Sequence, residues 1–260
     1  MADMFRLDGK VAVVVGGGGG IGEVLALGMA RQGANVALAS RNLAKLEDVA
    51  KKIAADAEVK KSKSRVKAFQ VDVTDEKSIS QLADQVVSDF KTVDILVNSQ
   101  GQNFKRPALE FPAADWTFMF DVNVKGMMLC CKHFGKTMVA KKYGKIINIS
   151  SVTALRGGGG GNMGYGSTKG AVNLLTMNLA CEWAQHHINV NAIGPSVIMT
   201  EMMLREGSPG MEQRIISRTP YGRLQTPEDL IGACVFLASP ASDFVVGQTI
   251  YVCGGRSAMM

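Results

Sequence analysis

The feature that most constrains the fold is the segment of residues 10–22, with the sequence KVAVVVGGGGGIG. Its first part is a short apolar run rich in β-branched valine, which is typical of a buried strand. Five consecutive glycines follow, and a helical pattern then continues to Gln32. A strand, a glycine-rich turn and a helix let the backbone approach a pyrophosphate and direct the helix N-terminus at its negative charge. The segment therefore predicts a nucleotide-binding βα unit.

The glycine run is not specific by itself. Gly16, Gly20 and Gly22 have the spacing G-x-x-x-G-x-G, which differs from the usual G-x-G-x-x-G, and five glycines in a row match many templates. A flexible turn is the alternative interpretation. The strand pattern before the run and the helix pattern after it favour the nucleotide-binding turn.

Strand and helix patterns alternate along the rest of the chain. The predicted strands cover residues 10–15, 35–40, 66–71, 95–98, 145–150, 189–193 and 249–252, and the predicted helices cover residues 21–32, 42–57, 76–90, 113–141, 164–186 and 227–238. Because the strands are almost continuously apolar, they predict a parallel sheet covered by helices on both faces. We therefore expect an α/β chain with one domain over residues 1–260, a Rossmann-type doubly wound sheet of about seven strands. Ligands of such sheets bind beyond the carboxyl ends of the strands, where the strand order reverses.

Composition argues against several other classes of protein. No apolar run is long enough to cross a bilayer, and residues 1–10 lack the apolar core of a signal peptide. The net charge of +6 comes partly from residues 51–67, which carry no interleaved aromatic residues, so we expect a solvated surface and no nucleic-acid partner. The five cysteines have neither C-x-x-C nor zinc spacing and form no ligand cluster with the histidines, which predicts a reducing, cytoplasmic location and no metal.

Polar residues follow several of the predicted strands. Ser40 and Arg41 stand where an acidic residue would bind the ribose 2′-hydroxyl of NAD, and a guanidinium suits the 2′-phosphate of NADP. The alternative for Arg41 is a solvated residue at a helix start. Asp72 follows the third strand and either binds an adenine amine or caps the next turn. Residues 98–101, Asn-Ser-Gln-Gly, follow the fourth strand and are expected to lie against the glycine turn.

A group of residues suited to proton transfer follows the fifth strand. Ser150 and Ser151 end that strand, and Tyr165 and Lys169 begin the next helix. A tyrosine and a lysine four residues apart share one helix face, and an ammonium near a phenol lowers the pKa of the phenol. Such a tyrosine gives or takes a proton near neutral pH, while a serine hydroxyl holds the same substrate oxygen. A surface pair is the alternative interpretation for Tyr165 and Lys169 alone.

Taken together, these motifs resemble the short-chain dehydrogenase/reductase family over almost the whole chain. The glycine motif of the family matches Val15, Gly16, Gly20, Ile21 and Gly22, and its N-N-A-G motif matches residues 98–101. Its catalytic asparagine matches Asn123, and its serine, tyrosine and lysine match Ser151, Tyr165 and Lys169. Its P-G motif matches residues 195–196, followed by Thr200, and its V-D-G-G motif matches residues 252–255. The motifs are highly specific as a set.

The resemblance implies a role for each matched residue. Tyr165 is the general acid and base, Lys169 holds the nicotinamide ribose and lowers the tyrosine pKa, Ser151 orients the substrate oxygen, and Asn123 supports a proton relay. The cofactor is NADP, with NAD as the alternative. The implied cofactor-binding residues are Gly16, Gly20, Ile21, Gly22, Ser40, Arg41, Asp72, Val73, Asn98, Gly101, Tyr165, Lys169, Pro195, Ile198 and Thr200, and the implied substrate-binding residues are Lys105, Arg106, Ser151 and Tyr165.

The chain departs from the family pattern at several positions. Val15 replaces a threonine that ties the glycine turn to the N-N-A-G segment, and Ser99 and Gln100 alter that segment, so we hypothesise that the changes compensate each other. Gly19 stands where NADP-preferring relatives often carry a second basic residue. The loop of residues 156–164 is almost all glycine and lengthens the interval between the serine and the tyrosine, which keeps Ser150 as an alternative for the serine role.

The substrate is inferred from two segments. Lys105 and Arg106 precede a proline, as in the gluconate 5-dehydrogenase branch of the family, and suit a substrate carboxylate, although two solvated loop charges are an equal alternative. Residues 199–225 are expected to cover the substrate, and Met199, Met202, Met203 and Met211 make this segment apolar.

These features favour the interconversion of a secondary alcohol and a ketone in a sugar acid such as gluconate. The alternatives are reduction of a 3-oxoacyl thioester or a xenobiotic ketone, and a non-catalytic protein that senses NADP. The resemblance also implies a homotetramer without membrane contact.

Overall fold

The centre of the molecule is a sheet of seven parallel strands. The computed structural model describes residues 3–157, 159–198 and 210–259. Its strands are β1 (Val11–Val15), β2 (Asn35–Ser40), β3 (Val66–Gln70), β4 (Ile95–Asn98), β5 (Gly144–Ile149), β6 (Ile188–Ile193) and β7 (Thr249–Ile250). Their order across the sheet is β3-β2-β1-β4-β5-β6-β7, and every neighbouring pair is parallel. The predicted doubly wound sheet is confirmed.

Helices cover both faces of this sheet. They are α1 (Gly20–Arg31), α2 (Leu43–Ala55), α3 (Ala57–Ser62), α4 (Glu76–Phe90), α5 (Ala113–Phe120), α6 (Gly126–Lys141), α7 (Met163–Trp183), α8 (Met211–Ile216) and α9 (Ile231–Ala238). Apolar side chains of α1, α2 and α9 form the core on one face, and those of α4, α6 and α7 form the core on the other. The strands are buried on both faces for this reason, which explains their continuous apolar sequence.

Two predicted helices differ from the observed elements in a way that local contacts explain. The helix predicted for residues 42–57 ends early, because Asp56 adopts an extended conformation and its carboxylate accepts hydrogen bonds from the backbone N–H groups of Glu58 and Val59. Asp56 thereby caps a separate helix, α3. The long helix predicted for residues 113–141 contains a π-helical turn, Asp121–Lys125, between α5 and α6.

The strand order places the glycine turn in a crevice. The chain runs outward from β1 to β2 and β3, and then returns to place β4 on the other side of β1. The carboxyl ends of β1 and β4 therefore lie side by side where the direction of winding reverses, which is the ligand-binding position of such sheets.

The helices of the described ranges include none that is long and apolar enough to cross a membrane.

Candidate active site

The glycine turn after β1 brings two backbones into close contact. Gly16 has a φ of +85°, and a Cβ atom there would lie 2.7 Å from the backbone N of Gln100. A Cβ atom on Gly22 would collide with the carbonyl oxygen of Gly16. Gly20, with a φ of +55°, faces open space. Gly16 and Gly22 thus permit tight packing, and Gly20 leaves room for a phosphate at the N-terminus of α1.

The hypothesis that Ser99 and Gln100 compensate for Val15 stays a hypothesis, and the contact between the two segments is made by the backbone. The two segments are joined by a backbone hydrogen bond, in which the Ser99 N–H donates to the Val15 carbonyl at 2.8 Å. The Ser99 hydroxyl and both polar atoms of the Gln100 amide are buried without a hydrogen-bond partner. Buried polar groups without partners are rare in proteins. These unused groups, beside a turn that a Cβ atom would block, fit a polar dinucleotide at this crevice.

The end of β2 presents polar and basic groups to the glycine turn. The Ser40 hydroxyl lies 3.1 Å from the position that a Cβ atom on Gly18 would take. The Arg41 carbonyl accepts a hydrogen bond from the Gln70 amide at 3.0 Å, which fixes the backbone of Arg41. Ser40 is therefore next to the turn, and Arg41 follows it at the end of β2.

Lys45 is a basic residue that the sequence reasoning missed. It lies in the first turn of α2, where its backbone N–H donates to the Asn42 side chain at 3.0 Å. The Lys45 Nζ atom reaches to 3.3 Å from the position that a Cβ atom on Gly19 would take. An ammonium thus occupies the place where NADP-preferring relatives often carry a basic side chain on the turn itself. The signal in the sequence was a lysine in the helix turn that follows Arg41.

Asp72 makes the bonds expected of a turn cap. Its Oδ1 atom accepts hydrogen bonds from the N–H and the hydroxyl of Thr74 at 2.9 and 2.7 Å. These bonds, followed by the nearby positive charge of Arg41, hold the pKa of Asp72 below its usual value. Asp72 and Arg41 both line a cavity of about 770 Å³ beside the edge strand β3. The capping interpretation of Asp72 is thus observed, on the wall of a cavity large enough for an adenine.

Asn98 has a role inside the sheet. Its side chain is fully buried, and its amide nitrogen donates to Asn148 on β5 at 2.9 Å. The cofactor-binding role predicted for Asn98 is therefore limited to its backbone and its one unpartnered oxygen. Gly101 lies between two other predicted residues, because a Cβ atom there would be 3.8 Å from Asn123 Oδ1 and 3.9 Å from Lys169 Nζ.

Tyr165 and Ser151 are side by side, and Ser150 points elsewhere. The Ser150 hydroxyl hydrogen-bonds the Asn173 side chain at 2.6 Å. The Ser151 hydroxyl is close enough to hydrogen-bond the Tyr165 phenol. Burial raises the pKa of Tyr165 to about 12, although the hydrogen bond with Ser151 acts in the opposite direction. The sequence predicted a lowered pKa through Lys169, and the structure differs because removal of the phenol from water outweighs any nearby charge.

Lys169 is fully enclosed behind the tyrosine. Its Nζ atom donates a hydrogen bond to the Ile149 carbonyl at 2.7 Å and lies 5.5 Å from the centre of the Tyr165 ring. Burial lowers the pKa of Lys169 to about 8. Tyr165 and Lys169 share one face of α7, as their spacing predicted.

Asn123 is positioned by the π-helical turn between α5 and α6. Its Oδ1 atom accepts from the Gln102 N–H at 2.7 Å, and its amide nitrogen donates to the Gln102 carbonyl at 2.9 Å and to the Thr168 hydroxyl at 3.0 Å. Thr168 precedes Lys169 on α7. A π-helical turn often marks a functional position, since the extra residue redirects a side chain. Here it links the segment after β4 to the helix that carries Tyr165.

The predicted substrate-side residues are close to the glycine-rich loop. The backbone N–H of Arg106 donates to the Gly161 carbonyl at 3.3 Å, and a Cβ atom on Gly161 would lie 2.7 Å from that nitrogen. The Arg106 guanidinium is 3.5 Å from the Asp115 carboxylate, so it already has an anionic partner. Lys105 is exposed.

Part of the remaining predicted site lies outside the described residues. Thr200 and three methionines of the predicted substrate cover, Met199, Met202 and Met203, are in this group. Among the residues that are described, the Pro195 carbonyl accepts a hydrogen bond from the Val152 N–H at 3.0 Å, and Ile198 forms an isolated bridge with Gln225. Ile21 packs against the core, and Val73 is buried.

Comparisons with known proteins agree with this geometry. Residues 16–257 match a family model described as "Enoyl-(Acyl carrier protein) reductase". The chain is 39% identical to the 2-dehydro-3-deoxy-D-gluconate 5-dehydrogenase of Pseudoalteromonas atlantica, over 98% of each chain.

Solved structures give two further comparisons. The crystal structure of a gluconate 5-dehydrogenase from Burkholderia cenocepacia, in complex with NADP and tartrate, has a TM-score of 0.91 at 33% identity, with 98% of each chain covered. A 7α-hydroxysteroid dehydrogenase complexed with NADH and 7-oxo glycochenodeoxycholic acid also has a TM-score of 0.91, at 32% identity, with 98% of this chain and 97% of that chain covered. Similarity of the backbone therefore fits substrates as different as a sugar acid and a steroid.

Proposed function

The chain belongs to the short-chain dehydrogenase/reductase family, and from that premise we propose that it interconverts a secondary alcohol and a ketone in a sugar acid with NADP(H). It is an NAD(P)-dependent oxidoreductase by family. The observation that carries the reaction is the position of Tyr165 beside Ser151, with Lys169 enclosed behind it. The sugar acid is supported by the gluconate-type relatives at 33–39% identity.

The proposed chemistry divides between the cofactor and the side chains. When bound, the nicotinamide supplies or accepts the hydride. In ketone reduction, the Tyr165 phenol donates its proton to the carbonyl oxygen while the Ser151 hydroxyl donates a hydrogen bond to the same oxygen. In alcohol oxidation, Tyr165 accepts the hydroxyl proton. A Tyr165 pKa of about 12 keeps the phenol protonated at neutral pH, which suits the reduction. We expect kcat for alcohol oxidation to rise with pH, because the phenolate is then required.

The cofactor proposal rests on the turn and on the end of β2. The crevice at Gly16, Gly20 and Gly22 would hold the pyrophosphate, and Ser40, Arg41 and Lys45 would hold the 2′-phosphate. Phosphate binds well to guanidinium and ammonium groups. Lys45 makes no ion pair with a residue of the described ranges, so its charge is available.

The decisive experiment compares NADPH and NADH oxidation by the purified protein with 5-ketogluconate, with a 3-oxoacyl thioester and with apolar ketones. The proposal requires turnover of 5-ketogluconate with NADPH. Turnover of only the thioester or the apolar ketones would retain the oxidoreductase and reject the sugar acid.

A tyrosine variant separates catalysis from binding. Tyr165→Phe should abolish turnover and retain NADPH binding, because only the phenol hydroxyl is removed. Tyr143→Phe is the control and should behave like the wild-type protein, because Tyr143 precedes β5 at the opposite end of the sheet and its hydroxyl makes no hydrogen bond with the described residues. NADPH binding without turnover in the wild-type protein on every substrate would favour the NADP-sensing alternative.

We also propose a cytoplasmic homotetramer. An apolar groove of about 480 Å³ lies between α6 and α7, lined by Met128, Val139, Leu179 and Trp183 among others. Leu174 and Met177 on α7 are more than half exposed, and Phe244 is fully exposed. Apolar surface of this extent is typical of an interface. A monomer in light scattering at micromolar concentration would contradict the tetramer. The reducing compartment is supported by the five cysteines, all of which are free thiols.

A further inference from the structure

Three arginines that the proposed reaction does not use lie on three separate segments of the chain. Arg156 is in the loop after Ser151, Arg218 follows α8, and Arg256 is in the segment after β7. The last two segments are packed together. The Tyr221 N–H donates to the Gly254 carbonyl at 3.0 Å, and a Cβ atom on Gly254 would lie 2.8 Å from a methyl group of Thr219. Arg256 is thereby held beside the chain that carries Arg218.

The guanidinium of Arg256 has unused donors. Its Nε and Nη1 atoms are both buried without a hydrogen-bond partner. Burial lowers the pKa of Arg256, and the positive charges of Arg156 and Arg218 lower it further. Within residues 3–157, 159–198 and 210–259, no carboxylate forms an ion pair with any of the three. Like charges with unmet donors are unfavourable, and a bound anion would relieve both effects.

The position of the three arginines indicates which anion fits. The loop of Arg156 begins at Ser151, the residue proposed to hold the reacting oxygen. Arg218 belongs to the segment predicted to cover the substrate. Two other arginines of this region are already paired, Arg106 with Asp115 and Arg223 with Asp229 at 2.6 Å. The substrate of the proposed function carries one carboxylate, and a guanidinium binds a carboxylate through two parallel hydrogen bonds.

We propose that Arg156, Arg218 and Arg256 form the binding site for the carboxylate of an anionic substrate, with Arg256 as the principal ligand. The proposal rests on the function proposed above, and it assigns the substrate carboxylate to these arginines in place of Lys105 and Arg106. Arg256 binds the substrate equally in the ground state and the transition state. Its loss therefore affects KM more than kcat.

The test compares Arg256→Ala and Arg256→Lys with wild type, on 5-ketogluconate and on a neutral ketose of similar size. We expect Arg256→Ala to raise KM for the keto acid about 10- to 100-fold, with kcat within a fewfold of wild type and KM for the ketose unchanged. Arg256→Lys should recover part of the loss, because it restores the charge without the planar fork. Arg65→Ala is the matched control, because this exposed arginine precedes β3 at the end of the sheet opposite the carboxyl ends of the strands, and it should leave KM for the keto acid unchanged.

Binding measurements keep the proposal testable apart from turnover. Calorimetry of gluconate with the NADP⁺-loaded wild-type protein should show binding that Arg256→Ala and Arg156→Ala each weaken about tenfold or more. Gluconate binding that survives both substitutions, or no binding to wild type, would overturn the arginine site. An equal rise of KM for 5-ketogluconate and for the neutral ketose in Arg256→Ala would assign Arg256 to the stability of the fold. Dissociation of the Arg256→Ala protein in light scattering would assign Arg256 to a subunit interface. Failure of wild type to reduce 5-ketogluconate despite Arg256-dependent gluconate binding would count against the proposed reaction alone.

Discussion

The molecule contains two glycine-rich loops with almost the same composition and very different surroundings. In the turn after β1, a Cβ atom on Gly16 would meet backbone atoms of Ser99 and Gln100 at 2.7 Å, and one on Gly22 would collide with Gly16. In the loop after Ser151, Gly157, Gly159 and Gly160 have no neighbouring atom within 4 Å of such a Cβ position. Among the described glycines of residues 157–161, Gly161 is the one at which a Cβ atom would meet another segment, at Arg106.

The difference shows that a glycine run has two separate physical uses. In the first loop, glycine permits contact, because two backbones approach closer than any side chain allows. In most of the second loop, glycine leaves the chain conformationally free, and ordering that chain costs free energy. The first loop is thus a fixed part of the proposed cofactor site, and the second borders the proposed substrate site and meets Arg106 at Gly161. Substitutions in the two loops should therefore have effects of different kind and size.

The largest effect is expected from Gly16→Ala. Its positive φ is unfavourable for alanine, and the new methyl group would collide with backbone that has no freedom to rotate away. We expect the free energy of unfolding to fall by about 3 kcal/mol, and NADPH binding to weaken strongly. Urea unfolding and a fluorescence titration with NADPH measure the two effects. Near-wild-type stability and affinity would show that the first loop is no more constrained than the second.

A smaller effect is expected from Gly161→Ala, which tests the contact of the second loop with Arg106. A Cβ atom would lie 2.7 Å from the Arg106 nitrogen, at a φ of +77°, but the adjoining glycines let the loop shift. We expect a loss of about 1–2 kcal/mol in unfolding free energy and a higher KM for the substrate. NADPH affinity should be unchanged, and a matching loss of NADPH affinity would contradict the separation of the two loops.

Lys45→Ala tests whether helix α2 supplies the basic side chain that the first loop lacks at Gly19. Removal of an ammonium from a partly solvated phosphate site should weaken NADPH binding by about 1 kcal/mol, a factor of about 5. NADH binding should not change, because NADH carries no 2′-phosphate. The exposed Lys51, further along the same helix and changed to alanine, is the control. Equal weakening of NADPH and NADH would assign Lys45 to the stability of the turn.

The smallest effect is expected from Gly157→Ala. The backbone there does not require a positive φ, and no atom lies within 4 Å of the new methyl group. Alanine restricts the unfolded chain more than glycine does, so the free energy of unfolding should stay constant or rise by up to about 1 kcal/mol. NADPH affinity should equal that of wild type. A marked loss of stability would mean that this loop packs as tightly as the first.

Much of the fold could be predicted because its signals are local. The valine run of β1, the glycines after it and the helical pattern of α1 are adjacent in the chain, and their order follows from backbone sterics. The breaks within predicted helices were harder to see. Asp56 ends α2 and begins α3 through its own capping bonds, and the π-helical turn at Asp121–Lys125 depends on packing between α5, α6 and α7.

In the candidate site, too, the features that depend on neighbours along the chain could be predicted from the sequence. The shared helix face of Tyr165 and Lys169 follows from their spacing, and the position of Arg41 follows from the end of β2. The reach of Lys45 to Gly19, the engagement of Ser150 with Asn173 and the raised pKa of Tyr165 did not follow. Each of these depends on which distant segments enclose a side chain.

By itself, the sequence determined the parallel α/β architecture, the nucleotide-binding turn and the residue types available for proton transfer, since each is specified by neighbours along the chain. Tertiary structure alone decided which charges lack partners. Arg106 is neutralised by Asp115, whereas Arg256 is brought beside Arg218 by the packing of residues 253–255 on residues 219–221. The physical reason is that burial and electrostatic interaction depend on distance in space, and residues far apart in the chain acquire that distance only when the sheet and its covering segments have assembled.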